Sequence, residues 1–311
     1  MTIKTTFKEK FKMITGLNDE IITPLLSYSH KSILVLNTLK ANWQEVLDEI
    51  HKHATLIPIA DNKYCYSIES GKDRVTALPF FKDGNYYILN YSSLIPPLVL
   101  DAHASDDVLD MCAAPGGKTF MIARETDNQA QLYINEVDKR RFNNLNSLLA
   151  QLDVSVTQAF NTPAQGLMYV TPQKFTKILI DAPCCAEGLI NLANTDSLKY
   201  WSQKKVKQLR NLQKKIVNCA YELLAEDGEL VYSTCTYSPE ENEEVIAYLL
   251  SKHTDLRVIA IDAKLIKENF IPALISWNNT LFTEDITKCI RILPTDLFEG
   301  FFVAKLKKLK R

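Results

Sequence analysis

The chain has 311 residues, 46% hydrophobic and 23% charged, a balance that excludes global disorder, collagen and coiled coil and leaves room for two domains. Lys and Arg number 36 against 37 Asp and Glu, for a net charge of -1, which excludes a strongly basic nucleic-acid coat but not a locally basic face. Seven cysteines without a CxxC pair, and no run of 18 apolar residues, argue against a secreted disulfide scaffold, structural zinc and a transmembrane helix. They predict free thiols in a reducing cytoplasm, with no membrane partner.

Before residue 100 the elements are short. FKEKFKMI and NDEIITPLL read as helices, SILVLNT and YYILN as strands. NWQEVLDEIHKH is amphipathic, with Trp43, Val46, Leu47 and Ile50 on one stripe. The Pro96-Pro97 pair reads as a break before the next unit. Residues 1–99 are therefore expected to form a small α+β domain.

From residue 105 strands and helices alternate. DVLDM, LYINE, VSVTQA, KILID, ELVYS, LRVIAI and GFFVAKL are seven strands. Between them lie the helical stretches KTFMIARET, KRRFNNLNSLLAQL, SQKKVKQLRNLQKKIVNCAYELLAE and PEENEEVIAYLLSKH. The order predicts an α/β domain over 100–311, a doubly wound and mostly parallel seven-stranded sheet of Rossmann-like type.

Three strand ends carry candidate chemistry. DMCAAPGGKT, residues 110–119, joins a strand to a helix through small residues that let a ligand approach the backbone. It is neither GxGxxG nor a P-loop, and alone it reads as a tight turn. Glu136 stands 20 residues beyond Gly116, at the end of the next strand, where an acid can hold ribose hydroxyls; Asp138 is a rival. Together they suit a nucleoside cofactor, and without a pyrophosphate cradle S-adenosylmethionine fits. DAPCCAEG, residues 181–188, puts Asp181, Cys184 and Cys185 past a third strand. STCTYSPEENEE, residues 233–244, puts Cys235 past a fourth. There Ser238 reads as an N-cap, Pro239 as the first helical residue and Glu241 as the capping-box partner. A helix N-terminus beside Cys235 favours its thiolate.

DMCAAPGGKT, NEVDKRR, DAPC and STCTYSPEENEE, in this order, resemble the Nop/Sun-type family of RNA cytosine-5 methyltransferases. SSLIPPLVLDA, LQKKIVNCAYELL and EGFFVAKL extend the likeness over most of 90–306. The resemblance implies methyl transfer from S-adenosylmethionine to carbon 5 of a cytosine in rRNA or tRNA. The sequence does not fix the oligomeric state, and a monomer is the expectation. The resemblance also implies that Cys235 is the nucleophile, that Cys184 promotes release, that Asp181 holds the base edge near ring nitrogen 3, and that Lys118 lies close to the base. It assigns the cofactor to Cys112, Ala113, Ala114, Pro115, Gly116, Gly117, Lys118, Glu136, Arg141 and Asp181. The family carries an acid after the next strand; here QAFNTPAQ offers Asn161 in its place, which bears on cofactor affinity. No metal is implied. Two alternatives stay open: a DNA cytosine-5 methyltransferase, which would use the PC cysteine as nucleophile, and a non-catalytic RNA-binding assembly factor. For RNA contact the sequence offers Lys204, Lys205, Lys207, Arg210, Lys214 and Lys215, then Lys4, Lys8, Lys10 and Lys12, then the tail KLKKLKR. Each run alone reads as a solvated face. Tyr200 and Trp201 are aromatic candidates for stacking, with core packing as the ordinary alternative.

Overall fold

The computed structural model describes residues 3–28, 30–59, 62–199, 201–262, 264 and 270–310. The amino-terminal helices α1 (Ile3–Thr15) and α2 (Asp19–Leu25) precede a four-stranded antiparallel sheet. That sheet holds β1 (Ser32–Leu36), β2 (Thr55–Pro58), β3 (Cys65–Ser70) and β4 (Tyr86–Asn90) in the order β2-β3-β1-β4. Helix α3 (Trp43–His51) buries Val46, Leu47 and Ile50 of the expected stripe. Two short helices, α4 (Lys72–Ala77) and α5 (Pro79–Lys82), lead into β4. Pro96 and Pro97 do not break the chain. They sit buried in the first turn of α6 (Ile95–Leu100), where a missing N–H costs nothing.

The second sheet begins with β5 (Asp107–Asp110), α7 (Gly117–Glu125), β6 (Gln131–Asn135), α8 (Lys139–Gln151), β7 (Gln158–Phe160) and β8 (Phe175–Asp181). It continues with α9 (Gln203–Leu223), β9 (Leu224–Thr234), α10 (Glu243–Lys252) and β10 (Leu256–Ile259). Its last strands are β11 (Phe270–Pro272), β14 (Ile290–Ile292) and β15 (Phe301–Lys308), and between β11 and β14 the chain forms a separate two-stranded hairpin of β12 (Ser276–Trp277) and β13 (Thr280–Leu281). The order is β11-β14-β15-β9-β8-β5-β6-β7, with β10 paired to β15. The Rossmann-like α/β class holds, but among the described residues the sheet has nine strands where the sequence predicts seven. From β9 to β7 the pairing is parallel; on the other side of β9 it is antiparallel. The additional strands are β11 and β14.

Alternate residues point to opposite faces. Leu109, Ile178, Ile180, Leu230, Tyr232, Phe302 and Ala304 join one core cluster, under α1, α9 and α10. Val108, Leu179, Val231 and Val303 join the other, under α6, α7 and α8. Because β5 is flanked by β8 on one side and β6 on the other, the strand order reverses there and opens a crevice at the carboxyl ends. Among the described residues no helix is long and apolar enough to cross a membrane.

Candidate active site

The crevice contains a cavity of about 410 Å³, within the size range of small-molecule sites. Cys112, Ala114, Glu136, Arg141, Asp181, Cys184 and Cys235 all line it. The turn after β5 is tied on both sides: Met111 N–H donates to Leu179 O and Ala113 N–H to Asn135 O, each at 2.9 Å. Gly116, at φ +122°, closes the turn, and a Cβ there would meet Leu145 Cδ1 at 3.0 Å. Ala113, Pro115, Gly117 and Lys118 line a smaller hollow of about 60 Å³ on the side of Tyr87, Leu89 and Ser93. Gly116 lines neither space.

Glu136 is 3% exposed. Its Oε1 accepts from Asp138 N–H at 2.9 Å, and its Oε2 pairs with Arg141 at 3.4 Å. Arg141 also donates to Ala114 O at 2.7 Å, joining the acid to the glycine turn. The rival Asp138 is the N-cap of α8, accepting from Arg141 N–H. Asn161 stays outside the cavity: it is exposed and its amide donates to Glu136 O at 2.7 Å and Val137 O at 3.1 Å. Pro163, Ala164 and Gln165 border the cavity in that region.

Lys118 Nζ and Asp181 Oδ2 pair at 2.7 Å. Burial alone would lower the lysine, but the adjacent carboxylate more than offsets it and holds the ammonium above its ordinary value. Ser233 donates to Asp181 Oδ1 at 3.2 Å. Asp110, fully buried beneath the turn, accepts from Thr119 and is pushed up to about 6 by burial.

Cys184 Sγ and Cys235 Sγ lie 3.2 Å apart, both half-buried and both free. The hydrogen bond with Cys235, then burial, push the Cys184 thiol well above its ordinary range. Thiols separated by 51 positions in the chain meet because β8 and β9 are parallel neighbours whose carboxyl ends share one edge.

Sequence reasoning misreads the surroundings of Cys235. No capping box forms. Helix α10 starts later, with Asn242 as N-cap. Ser238 Oγ instead donates to Glu187 Oε1 at 2.6 Å, and Glu241 Oε2 accepts from Cys185 N–H at 3.1 Å. Fully buried Glu187 also accepts from Trp201 Nε1, Thr236 Oγ1 and Tyr237 N–H. Lys10 of α1 reaches this network, 2.7 Å from Ser238 Oγ and 2.9 Å from Glu240. Buried Arg291 of β14 donates to Tyr237 O and pairs with Glu243. Thus Lys10 is an internal support, and Trp201 packs inside against Phe7; Tyr200 lies outside the described residues. An acid in the apolar run CCAEGLI and an arginine in CIRIL were the available signals.

A model of the family described as 16S rRNA methyltransferase RsmB/F matches residues 97–307. The tRNA (cytosine(49)-C(5))-methyltransferase of Pyrococcus abyssi is 33% identical over 314 residues, covering 97% of this chain and 99% of its own. The ribosomal RNA small subunit methyltransferase F of Vibrio vulnificus is 33% identical over 313 residues, but this chain spans only 64% of its length. A methyltransferase homologue from Pyrococcus horikoshii superposes with a TM-score of 0.80 at 27% identity, covering 98% of this chain and 99% of that one. With the family model spanning more than half of its residues and a relative matched end to end, the chain belongs to the RsmB/F methyltransferase family.

Proposed function

We propose that this protein transfers a methyl group from S-adenosylmethionine to carbon 5 of a cytosine in tRNA or rRNA, working as a monomer in the cytoplasm. The observation that carries the reading is the pair of sulfurs 3.2 Å apart on the wall of a cavity that also holds Glu136 and Asp181. The residues present suit the cofactor. Glu136 is a buried acid on the cavity wall, and the small turn residues Cys112 and Ala114 line the same wall beside it. Cys112–Gly117, Glu136, Arg141 and Asp181 would hold it, and when bound it supplies an electrophilic methyl group.

Carbon 5 of cytosine is a weak nucleophile. Addition of the Cys235 thiolate to carbon 6 makes an enamine and renders carbon 5 nucleophilic. Asp181, oriented by Lys118 and Ser233, holds the base edge near ring nitrogen 3 and supports its protonation. Once carbon 5 carries the methyl group it must lose its proton. Cys184, as its thiolate once Cys235 is tied up in the adduct, or a water held by it, takes that proton, the carbon 5–carbon 6 double bond re-forms and the Cys235 thiolate is expelled. The target base has to leave its stack to reach both sulfurs. Residues 1–99 contribute as a small domain to RNA binding, since Tyr87, Leu89 and Ser93 face the hollow beside Lys118.

The test uses Cys235→Ala and Cys184→Ala with unmodified tRNA and small-subunit rRNA transcripts and S-adenosylmethionine. Cys235→Ala should form no denaturation-resistant protein–RNA adduct, and Cys184→Ala should accumulate one. The opposite pattern assigns the chemistry of a DNA-type cytosine-5 methyltransferase. Absence of calorimetric S-adenosylmethionine binding at millimolar cofactor would instead favour a non-catalytic assembly factor.

A further inference from the structure

Cys184 lies in a loop, yet its sulfur is aligned with Cys235 to hydrogen-bond distance. Two buried side chains from different elements account for the alignment. Gln213 of α9 donates through Nε2 to Pro183 O at 2.9 Å, the carbonyl of the residue before Cys184. Glu241 accepts through Oε2 from Cys185 N–H at 3.1 Å, the amide of the residue after it. The two side chains are joined to each other, Gln213 Nε2 to Glu241 Oε2, at 2.8 Å. Glu241 is itself fixed to β9, because Tyr232 donates its hydroxyl to Glu241 O at 2.6 Å.

We propose that Gln213 and Glu241 are positioning residues for Cys184, a clamp on its two flanking peptide groups that holds the sulfur where adduct release requires it. The inference rests on the release role given to Cys184 above. General packing is a poor account of the clamp. Both side chains are 0% exposed, and Glu241 Oε1 and Gln213 Oε1 are buried without a hydrogen-bond partner. A leucine and a methionine would fill the same space without stranding two polar atoms. What the polar pair provides, and apolar residues do not, is directed bonding at both ends of one residue. Burial pushes Glu241 up to about 7, in keeping with a carboxyl kept out of water for its geometry.

The experiment compares Gln213→Ala and Glu241→Ala with Cys184→Ala and the parent, using unmodified tRNA and small-subunit rRNA transcripts with S-adenosylmethionine. Two quantities are read: the denaturation-resistant protein–RNA adduct, and released 5-methylcytosine. Both clamp variants should accumulate adduct at least about tenfold over the parent while turnover falls. Their cofactor affinity by calorimetry should stay within about twofold. A residue that merely supports the fold would depress adduct formation and release together. If Cys184→Ala accumulates adduct and the clamp variants do not, the clamp is overturned while the role of Cys184 stands. If Cys184→Ala accumulates none, the release reading itself fails and the clamp falls with it. Should Glu241→Ala not fold, Gln213→Ala decides alone, since it removes the bond to Pro183 and leaves the carboxylate bonded to Cys185.

Discussion

Arg291 and Glu243 are the most deeply buried ion pair among the described residues, each side chain at 0% exposure, and they brace the loop that carries Cys235. Arg291 donates through Nη1 to Tyr237 O at 2.6 Å and pairs through Nη2 with Glu243 Oε1. That same Oε1 accepts from Leu274 N–H at 2.9 Å, whereas Arg291 Nε and Glu243 Oε2 have no partner. Arg291→Met would strand a buried carboxylate, and Glu243→Leu a buried guanidinium. Each should cost about 3–5 kcal/mol. The double variant strands neither charge. It orphans Tyr237 O and Leu274 N–H, about 1–3 kcal/mol apiece. It also relieves the desolvation of both ions, and exchanging a buried pair for apolar residues is neutral to favourable by about 1–4 kcal/mol. These terms partly offset, so the double variant should lose about 2 kcal/mol at the centre of the range and no more than about 6, while simple addition of the single effects gives about 6–10 kcal/mol. Urea denaturation of the four proteins at 25 °C, with comparable m-values, measures the cycle. Additive losses would refute the reasoning, because the charges would then not be compensating each other.

Two further outcomes are expected. Asp110, Glu241 and Glu299 are all buried carboxyls, pushed up to about 6, 7 and 7. The folded chain therefore keeps protons that the unfolded chain has already lost, and stability should fall as pH rises from about 4.5 through 7. Glu299→Gln, which keeps an acceptor for Asn90, should remove on the order of 3 kcal/mol of that decline; parallel pH profiles for variant and parent would refute it. Gly116→Ala places a side chain at φ +122° and 3.0 Å from Leu145 Cδ1. It should cost about 1–3 kcal/mol in stability, because the added side chain meets Leu145, Leu148 and Leu149 of α8, and an unchanged urea midpoint would contradict the tight packing of this turn.

The parallel half of the large sheet is legible in the sequence because its strands are short apolar runs separated by helical periods, and β5, β6, β8 and β9 all fall on such runs. The antiparallel edge is not. Strands β11 and β14 have three residues each, and the center of β14 is Arg291, a charge that hides a fully buried position. Among the candidate residues, Cys184 and Cys235 are legible because Cys235 directly follows β9 and Cys184 comes three residues after β8, so chain order alone sends them to one edge. Ser238 and Glu241 mislead for the opposite reason. Their spacing satisfies a local capping rule, but Glu187 and Cys185 N–H offer tertiary partners and win. No local pattern announces a contact such as Lys10 to Ser238, which spans 228 positions. Asn161 stands where an acid is expected, and the structure uses it to brace Glu136 O and Val137 O.

The distance between the two sulfurs is a property of the whole junction beneath them. Gly188 N–H donates to Cys235 O at 2.8 Å, so the loop bearing Cys184 is bonded to the peptide of Cys235 itself. A Cβ on Gly188 would lie 1.9 Å from Gly300 O, and one on Gly300 would lie 1.9 Å from the Tyr237 hydroxyl. Three segments therefore crowd together with no room for a side chain between them: the loop after β8, the loop after β9 and the entry to β15. The last of these belongs to the antiparallel half, where Phe302 pairs with Thr234, the residue before Cys235. Lys10 and Phe11 of α1 close the assembly from below, the phenyl ring 4.7 Å from that of Tyr237. The added strands and the amino-terminal helix are thus part of what holds two thiols at one edge, because a loop fixed from only one side could not keep two side chains of separate segments in register.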